Sequence, residues 1–360
     1  MSRTSLPAKT QWDCGGCTAC CRHFALGPVR DEIIQGLHDR DVQSHWAPAK
    51  DGFAQRKPGP SGPAWFFTRR PDGACVFLQD DGLCAIHARW GADAKPAFCQ
   101  EYPFTTVQDG DTLRTYVRAD CGGWAATFES GAPAGPQAEA ILDLPHQHEL
   151  GRFHMDPLPI LPGLGIDMNQ WEAVESHLIS AFEASDPEPA HTIRAALEIL
   201  AGLAKRPLPA PDPHGVEQAV LHVAHRVQQA LEPALAHAPT DPDGVGMAAF
   251  LTQVVELVRA GQRNPPRPLS DGARRYVAIV LRSQLHGRAF QALGGIPGWL
   301  GTVFVGIELA RRAEAVEGPV PAAAFGEHLA TWIRLTRHDA ARQLLADLRP
   351  TLEPLVLRVG

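Results

Sequence analysis

The eight cysteines of this 360-residue chain all lie within its first 121 residues, and residues 122–360 contain none. Four of them form a Cys-x-x-Cys-x-x-Cys-Cys run, and the others follow singly further along the chain. Cysteines that only filled a core would be scattered over the whole sequence. The crowding predicts a thiolate metal site in the N-terminal part. All eight are candidate ligands: Cys14, Cys17, Cys20, Cys21, Cys75, Cys84, Cys99 and Cys121.

The predicted compartment favours metal ligation over disulfide bonding. Residues 1–13 include Arg3, Lys9 and Asp13 but no apolar run typical of a secretory signal, so we expect a cytoplasmic protein. Thiols in a reducing cytoplasm do not readily pair as structural disulfides. No apolar run in the sequence is long enough to span a bilayer, so a membrane is not expected as a partner.

Charge and length limit the partners and the number of domains. The formal net charge is -7 and the isoelectric point is about 6.1, so no basic field attracts nucleic acid. A chain of 360 residues predicts about two domains. Beyond Gly122 the composition shifts to Ala, Leu, Pro and His. We predict a small, irregular α+β cysteine-cluster domain (1–128), a Pro-rich linker (129–166) and a mainly α-helical domain (167–360).

Short elements and loops are predicted between the cysteines. The apolar spacing within 28–42 indicates a helix. Residues 74–79 and 83–87 are predicted as two short strands joined by a tight turn. A second hairpin is predicted from Phe104 to Arg118. Both hairpins end close to cysteines, which suits a scaffold that aims ligands inward.

Apolar residues at helical spacing predict a series of helices after residue 166. The first starts at Asp167, as N-cap, and runs towards Ala184 with one face formed by Trp171, Val174, His177 and Leu178. Pro-rich breaks separate several helices, and no internal repeat of solenoid type is evident. The further predicted helices cover roughly 190–205, 216–236, 246–260, 271–293, 297–316 and 322–348.

The spacing of the first four cysteines suits a metal, with one unusual feature. A Cys-x-x-Cys pair lets two thiolates approach one metal from a single turn. The Gly15-Gly16 pair permits this tight path because glycine has no Cβ to clash. Cys20 and Cys21 are adjacent, and neighbouring side chains diverge in most backbone conformations. They are therefore expected to serve different iron atoms of a cluster, to serve two metals, or to leave one thiol unligated.

The number and identity of the metals stay open. Eight thiolates suit two metals with four ligands each, or one iron–sulfur cluster with further thiols. The doublet favours an iron–sulfur centre over zinc, because four thiolates around a zinc ion do not need it. His23 and His87 lie near cysteines and are interpreted as polar neighbours rather than ligands, because the thiolates suffice.

Aromatic and acidic residues accompany the cysteines in the sequence. Glu101 and Asp120 are the nearest acids that could accept a proton from a lysine, and neither is assigned as a catalytic base. Residues that would bind an organic cofactor are not identified. The aromatic residues are interpreted as packing that shields a metal from water rather than as a cage for a cation. They are Trp12, Trp65, Phe66, Phe67, Tyr102 and Trp124.

The run from Cys14 to Cys21 resembles the CxxCxxCC signature of the YkgJ-type cysteine-cluster proteins, which are described as zinc- or iron-chelating. Two later segments resemble theirs as well. The resemblance covers about the first third of the chain and implies metal binding by this part. The matching residues are Cys75-Val-Phe-Leu, Cys84-Ala-Ile, Lys95-Pro96 and Cys99-Gln-Glu-Tyr102-Pro103.

The longer gap from Cys84 to Cys99, with Gly91 partway, is similar instead to the flagellin lysine N-methylases of the FliB type. These proteins also carry a last cysteine after a strand, as Cys121 follows the predicted hairpin here. The resemblance implies a [4Fe–4S] cluster, S-adenosylmethionine as methyl donor, and a partner protein whose lysine side chains are methylated. The helical C-terminal region is similar in outline only.

Three functions are therefore considered. The first is an iron–sulfur enzyme that methylates protein lysines, although the Gly-rich strand–loop–helix of a Rossmann methyltransferase is not visible and Gly163-Leu-Gly165 is interpreted as a loop. The second is a non-catalytic zinc- or iron-binding module whose metal stabilises a loop-rich fold. The third is an iron or redox sensor with a labile cluster.

Overall fold

The computed structural model describes residues 2–4, 6, 10–59, 62–142, 151–152, 157–161, 163–183, 188–313 and 318–359. The strands within them are β1 (Ser2–Thr4), β2 (Ala54–Gly59), β3 (Gly62–Phe67), β4 (Phe104–Asp109), β5 (Thr112–Val117), β6 (Gly151–Arg152), β7 (Leu158–Leu161) and β8 (Leu164–Ile166). Short 3-10 helices cover Ala47–Ala49, Ala92–Ala94 and Ala289–Leu293. The α-helices are α1 (Ala19–His23), α2 (Asp31–Asp39), α3 (Val42–His45), α4 (Ala85–Trp90), α5 (Ala97–Glu101), α6 (Gly122–Thr127), α7 (Gly135–Leu142), α8 (Met168–Phe182), α9 (Pro189–Ala204), α10 (Pro213–Ala236), α11 (Pro242–Arg263), α12 (Asp271–His286), α13 (Ile296–Ala313), α14 (Ala322–Leu335), α15 (Asp339–Asp347) and α16 (Arg349–Leu357).

The predicted fold class is confirmed: a small region of strands and short helices precedes a mostly helical part. A four-stranded sheet has the order β1-β5-β4-β6, and β2–β3 and β7–β8 form two-stranded sheets. Strands β4 and β5 are antiparallel, with Phe104 opposite Val117 and Asp109 opposite Thr112. The hairpin predicted in this place is therefore confirmed.

Two hydrophobic cores are present, one small and one large. The small core contains buried side chains from Leu26 to Ala94, including the rings of Phe53, Phe67 and Phe77. The large core combines β4, β5 and α6 with the later helices. Along the chain, the small core ends at Ala94 and the continuous part of the large core begins at Phe104, before the composition shift at residue 122. The predicted domains 1–128 and 167–360 stay a prediction, and the large core spans both.

Helices are present at the places predicted after residue 166, although two of them are broken and the predicted ends at 184 and 314–316 lie outside the described residues. Side chains cap several of these helices. Asp167 accepts a hydrogen bond from Gln170 N at 3.0 Å, and Asp241 accepts one from Gly244 N at 2.7 Å. Each cap satisfies an N–H group that has no partner inside its helix. None of the helices in the described part of the chain is both long enough and apolar enough to cross a bilayer.

The two strands predicted at 74–79 and 83–87 are wrong. These residues are all described, and they form single bridges, one of which joins Leu78 to Cys84. Helix α4 begins directly after Cys84. The turn leaves arms that are too short for a ladder of hydrogen bonds, and Ala85 is a strong helix former.

Two helices predicted as continuous are each broken. The helix predicted over 271–293 ends at His286, because Gly287 lies against the Tyr116 ring and Arg288 takes a left-handed φ of 56°. The helix predicted over 322–348 is divided into α14 and α15. Both breaks depend on packing that the helical periodicity does not contain.

On α8 the predicted residues Trp171, Val174 and Leu178 are buried, but His177 is exposed and Glu175 is buried instead. Arg288 compensates its charge: the guanidinium donates to Glu175 at 2.8 Å and to Asp109 at 3.0 and 2.7 Å. Asp109 ends β4 at the turn of the hairpin, so these charged hydrogen bonds fasten the hairpin to the helices. Cys121 follows the hairpin and is buried in the large core.

The predicted linker over 129–166 contains regular structure where it is described. Helix α7 buries Ala138 and Ile141 in the large core, and β7 buries Leu158 and Ile160 there. Strand β7 pairs with β8 in antiparallel orientation. Residues 143–150, 153–156 and 162 lie outside the described residues.

Replacing Gly326 with alanine is expected to destabilise the protein by about 1–3 kcal/mol. Helices α14 and α6 approach so closely that a Cβ at Gly326 would overlap the Ala125 methyl group. Thermal unfolding measures the effect. Gly202→Ala on α9 is the control, since nothing lies within 4 Å of its Cβ position, and it is expected to stabilise by about 0.5–1 kcal/mol. Equal changes in both variants would contradict the close helix contact.

Candidate metal centre

The cysteines come from separate parts of the chain that meet where the small core adjoins the large one. Two lie in the loop before α1 and two on α1, and two others occupy the N-cap positions of short helices. Their places are the loop before α1 (Cys14, Cys17), α1 (Cys20, Cys21), the turn before α4 (Cys75), the N-cap of α4 (Cys84), α5 (Cys99) and the N-cap of α6 (Cys121).

Glycine backbones bring the cysteine-bearing loops together. Gly16 and Gly82 have φ angles of 65° and 82°, and a Cβ on Gly82 would lie 2.6 Å from the Gly16 carbonyl oxygen. The Cβ position of Gly15 lies 3.8 Å from the Cα of Gly123. The loop with the first two cysteines is therefore in direct contact with both the turn before α4 and the start of α6.

The thiols of Cys20 and Cys21 lie close together, with their Sγ atoms 3.8 Å apart. The expectation that these adjacent side chains diverge is therefore wrong. The position of a thiol depends on its rotamer as well as on the direction of the Cα–Cβ bond. Two thiolates bound to one tetrahedral ion with 2.3 Å bonds are also about 3.8 Å apart. The doublet thus has a separation that one metal accepts.

Cys17 and Cys121 are hydrogen-bonded although more than a hundred residues separate them. The bond lowers the pKa of Cys17 to about 6 and raises the pKa of Cys121. Backbone amides also point at sulfur: those of Ala19 and Gly123 donate to Cys17, and that of Gly16 donates to Cys14. Such donors stabilise thiolates and are common around metal–sulfur centres.

Burial keeps other thiols from ionising on their own. Burial raises the pKa of Cys75 and Cys99 far above the ordinary thiol value, and their neighbouring thiolates raise it further. The hydrogen bond with Cys21, followed by burial, raises the pKa of Cys20. Lys95 acts in the opposite direction on Cys20 and Cys99. A positive charge close to the sulfurs would therefore be needed to ionise them together.

All eight cysteines are free thiols. Cys20 lies beside Cys21 and Cys17 beside Cys121, and among the described residues no group of three or more Cys, His, Asp or Glu side chains is placed to hold a metal ion. The donors suit zinc or an iron–sulfur cluster, because each is held by four thiolates. Sγ atoms move between staggered rotamers without a change in the backbone. Metal ligation by these eight cysteines stays a prediction.

A buried arginine of the helical part reaches the cysteine-bearing segments. Arg334 on α14 is 1% exposed and donates to the Asp120 carbonyl oxygen at 3.0 Å and to His23 Nδ1 at 3.1 Å. Burial, and then the charge of Arg334, lowers the pKa of His23 to about 3. Sequence reasoning missed Arg334, because nothing in its local sequence distinguishes it from the other arginines.

Asp120 is an ion-pair partner rather than an open base. Its buried carboxylate accepts from Arg118 at 3.0 and 2.6 Å, with Arg337 at 3.5 Å. Burial alone would raise the pKa of Asp120, but these two cations lower it to about 2. A lowered pKa stabilises the fold above the ordinary value of about 4, and this stability is lost as the pH falls towards 2.

The remaining polar residues near the cysteines differ in exposure and in their effect on the thiols. His87 is exposed on α4, and Glu101 is half-buried on α5. The carboxylate of Glu327 on α14 lies 3.2 Å from the Cβ position of Gly122, and its charge opposes ionisation of Cys17. Sequence reasoning did not place Glu327 here, because it belongs to a helix far along the chain.

The aromatic residues near the cysteines are packed against other side chains. Trp124 is buried edge-on against Tyr276, and Trp12 lies edge-on against Phe104. The Arg118 guanidinium lies over Tyr102, 4.9 Å from the ring centroid. Phe67 is part of the small core, Phe66 lies against Gly27, and Arg56 lies over Trp65. These contacts agree with the interpretation of the aromatic residues as packing.

Comparison with known proteins supports metal binding by this part of the chain. Residues 13–122 match the family model described as "CxxCxxCC: Putative zinc- or iron-chelating domain". The match includes all eight cysteines and ends just after Cys121. No curated protein and no solved structure matches the chain. These comparisons therefore give no relative that supports the FliB-type branch or its lysine methylation.

Replacing Gly82 with alanine is expected to weaken metal binding at least about tenfold, a loss of about 1.4 kcal/mol. The new Cβ would push against the Gly16 carbonyl oxygen, 2.6 Å away, and separate two cysteine-bearing loops. Gly91→Ala is the matched control, because Gly91 has a φ of 83° but nothing within 4 Å of its Cβ position. Competition with a chelator measures the affinity. Equal losses would show that backbone strain alone is responsible.

Proposed function

We propose that the cysteine-rich part of the chain binds metal through thiolates drawn from its eight cysteines, in the form of an iron–sulfur cluster. The observation that carries the proposal is the approach of thiols from distant parts of the sequence, as in the hydrogen bond between Cys17 and Cys121. The match to a zinc- or iron-chelating domain supports metal binding. The resemblance to iron–sulfur methylases favours iron over zinc.

Metal binding gives this arrangement a physical reason. Thiolates this close repel one another, and burial makes each one costly to ionise. A metal cation removes both costs, because a coordinated thiol is deprotonated outright. Binding would also connect the small core to the segment before α6, and such free energy counts as folding free energy.

The test is metal analysis and a visible spectrum of the full chain purified without air. We expect a brown protein with broad visible absorption and bound iron. Colourless protein with bound zinc would support metal binding by the thiolates but would contradict the iron–sulfur cluster. Protein that carries neither metal, with eight thiols open to titration, would refute the proposal.

Methylation of protein lysines with S-adenosylmethionine is the second candidate function, and its support is the resemblance of the cysteine pattern to that of the FliB-type methylases. The test is binding of S-adenosylmethionine to the metal-loaded chain, repeated after removal of the metal under reducing conditions. Saturable binding that disappears with the metal supports the enzyme. No binding by the loaded chain would leave a non-catalytic metal module or a sensor.

A further inference from the structure

Arg69 follows β3, and its guanidinium joins three parts of the chain. The side chain is 8% exposed, and its Nη atoms donate to the carbonyl oxygens of Arg22 at 3.0 Å, Phe24 at 2.6 Å and Gly73 at 2.7 Å. Its Nε atom donates to the Asp243 carboxylate on α11 at 2.9 Å. One buried cation therefore fixes the end of α1, the loop after β3 and the start of α11.

Two cysteines belong to the segments that Arg69 fixes. Cys21 lies on α1, and Cys75 ends the loop after β3 (residues 68–75), which we call the Cys75 loop. The Cys75 amide donates to the Cys21 carbonyl oxygen at 2.8 Å. Arg22 of α1 also pairs with Asp72 of the loop at 3.4 Å. The position of the Cys75 loop thus decides how closely these two cysteine-bearing segments approach each other.

The contact between the Cys75 loop and α11 is made by glycine backbones and charged side chains. A Cβ on Gly73, whose φ is 77°, would lie 2.5 Å from the backbone nitrogen of Gly246. Beside this contact, Asp243 is 49% exposed and pairs with both Arg69 and Lys57 of β2. Salt weakens ion pairs that water reaches. Because glycine has no side chain to bury, little apolar surface resists the separation of the loop from α11.

Helix α1 is attached to the helical part by packing instead. The rings of His23 on α1 and Phe250 on α11 are both buried, and their centroids are 5.5 Å apart. Arg334 of α14 donates to His23 Nδ1 at 3.1 Å. We therefore expect α1 to stay with the helices when the Cys75 loop moves away, and such a movement would separate Cys75 from Cys21.

We propose that Asp243, with Arg69 and Lys57, forms a salt-sensitive latch that holds the Cys75 loop against α11 and so controls access to the cysteines. Without the Asp243 carboxylate, the buried Arg69 charge keeps carbonyl oxygens as its partners, and water stabilises such a charge better. Because the same guanidinium bonds to α1 and to the loop, its exit loosens both contacts. The latch is a property of the fold, whereas its role as a gate for metal rests on the proposed function.

Hydrogen exchange of the full chain as purified, read by mass spectrometry, tests the latch. Asp243→Asn keeps the shape of the side chain and removes its charge. Amides of residues 70–76 are expected to exchange roughly 5–10-fold faster in this variant, since charged hydrogen bonds are about twice as strong as neutral ones. Raising the salt from about 0.05 to about 0.5 M should speed the same amides in the unaltered chain and have little further effect in the variant.

Glu232→Gln is the matched control for the latch. It removes another ion pair of α11, that of Arg259 with Glu232 of α10 at 2.6 Å, which lies within the helical part. This variant is expected to leave the exchange of residues 70–76 and its salt dependence unchanged. Unchanged exchange of these amides in Asp243→Asn, or an equal increase along the whole of α11, would overturn the latch.

Zinc transfer tests the gate, with the chain stripped and reloaded with Zn²⁺ alone. A gate changes the rates of uptake and of release to a chelator by the same factor and leaves the affinity unchanged. Asp243→Asn is therefore expected to raise both rates roughly 5–10-fold. Unaltered rates, or a lower affinity, would overturn the gate. A chain that binds no zinc would refute metal binding itself, and the exchange measurement would still decide the latch.

Discussion

Replacing Arg334 with methionine is expected to speed the loss of metal from the folded protein by roughly 10–100-fold, the usual cost of losing an outer partner of a metal site. Arg334 donates to the carbonyl oxygen of Asp120 and to His23, which lie beside Cys121 and just after Cys21. Methionine occupies a similar space but donates no hydrogen bond. Both cysteine-bearing segments then lose the hydrogen bond that Arg334 donates to them.

The rate of metal transfer to an excess of chelator, well below the melting temperature, measures this effect. Arg312→Met on α13 is the matched control: Arg312 is 4% exposed, and it contacts Glu217 at 3.1 Å and Asn264 at 3.4 Å rather than a cysteine-bearing segment. It is expected to lower the melting temperature without speeding the transfer. Arg334→Lys keeps the charge but lacks the planar guanidinium group, so its rate of metal transfer should lie between those of the unaltered chain and Arg334→Met. Equal transfer rates for Arg334→Met and Arg312→Met would contradict the positioning role.

Removing the metal under reducing conditions is expected to open the small core while the helices of the large core stay folded. The small core draws on residues from Leu26 to Ala94, and it includes Cys75 with Cys21 and Cys84 packed against it. Metal binding at structural zinc sites contributes about 10–16 kcal/mol, more than a core of this size supplies by itself. Without metal, buried thiols lose the cation that holds them together.

Hydrogen exchange read by mass spectrometry, with and without metal, checks this expectation. Amides of α2 and α4 should exchange at least a hundredfold faster after metal removal. Amides of α13 are the internal control, because nearly all of its side chains are buried in the large core. Unchanged protection in α2 and α4 would show that the small core does not depend on metal.

Much of the fold is predictable from the sequence because its signals are local. Asp167 caps α8, and Asp109-Gly110 provides the turn of the β4–β5 hairpin. The helices follow from apolar periodicity. The failures have a common reason: α12 stops where Gly287 meets the Tyr116 ring, and Glu175 is buried because Arg288 pairs with it. Neither partner is near in sequence.

The candidate site divides in the same way. The spacing of the cysteines identifies the thiols and the class of chemistry. It also suggests that Cys20 and Cys21 diverge, whereas their Sγ atoms lie 3.8 Å apart. The rotamer and the burial of each thiol depend on the surrounding chain, so the adjacency of two cysteines in the sequence does not predict them. The roles of Arg334 and Glu327 likewise depend on how α14 packs against α6.

The sequence by itself determined that the thiols crowd into the first third of the chain and that helices make up most of the rest. Both are properties of residues within one or two turns of each other. Only the tertiary structure decided which thiols lie together and which cation holds their segments, as Arg334 does for Asp120 from 214 positions away. Such contacts arise from the packing of surfaces that form only after the helices and loops have folded together, which is why no local pattern encodes them.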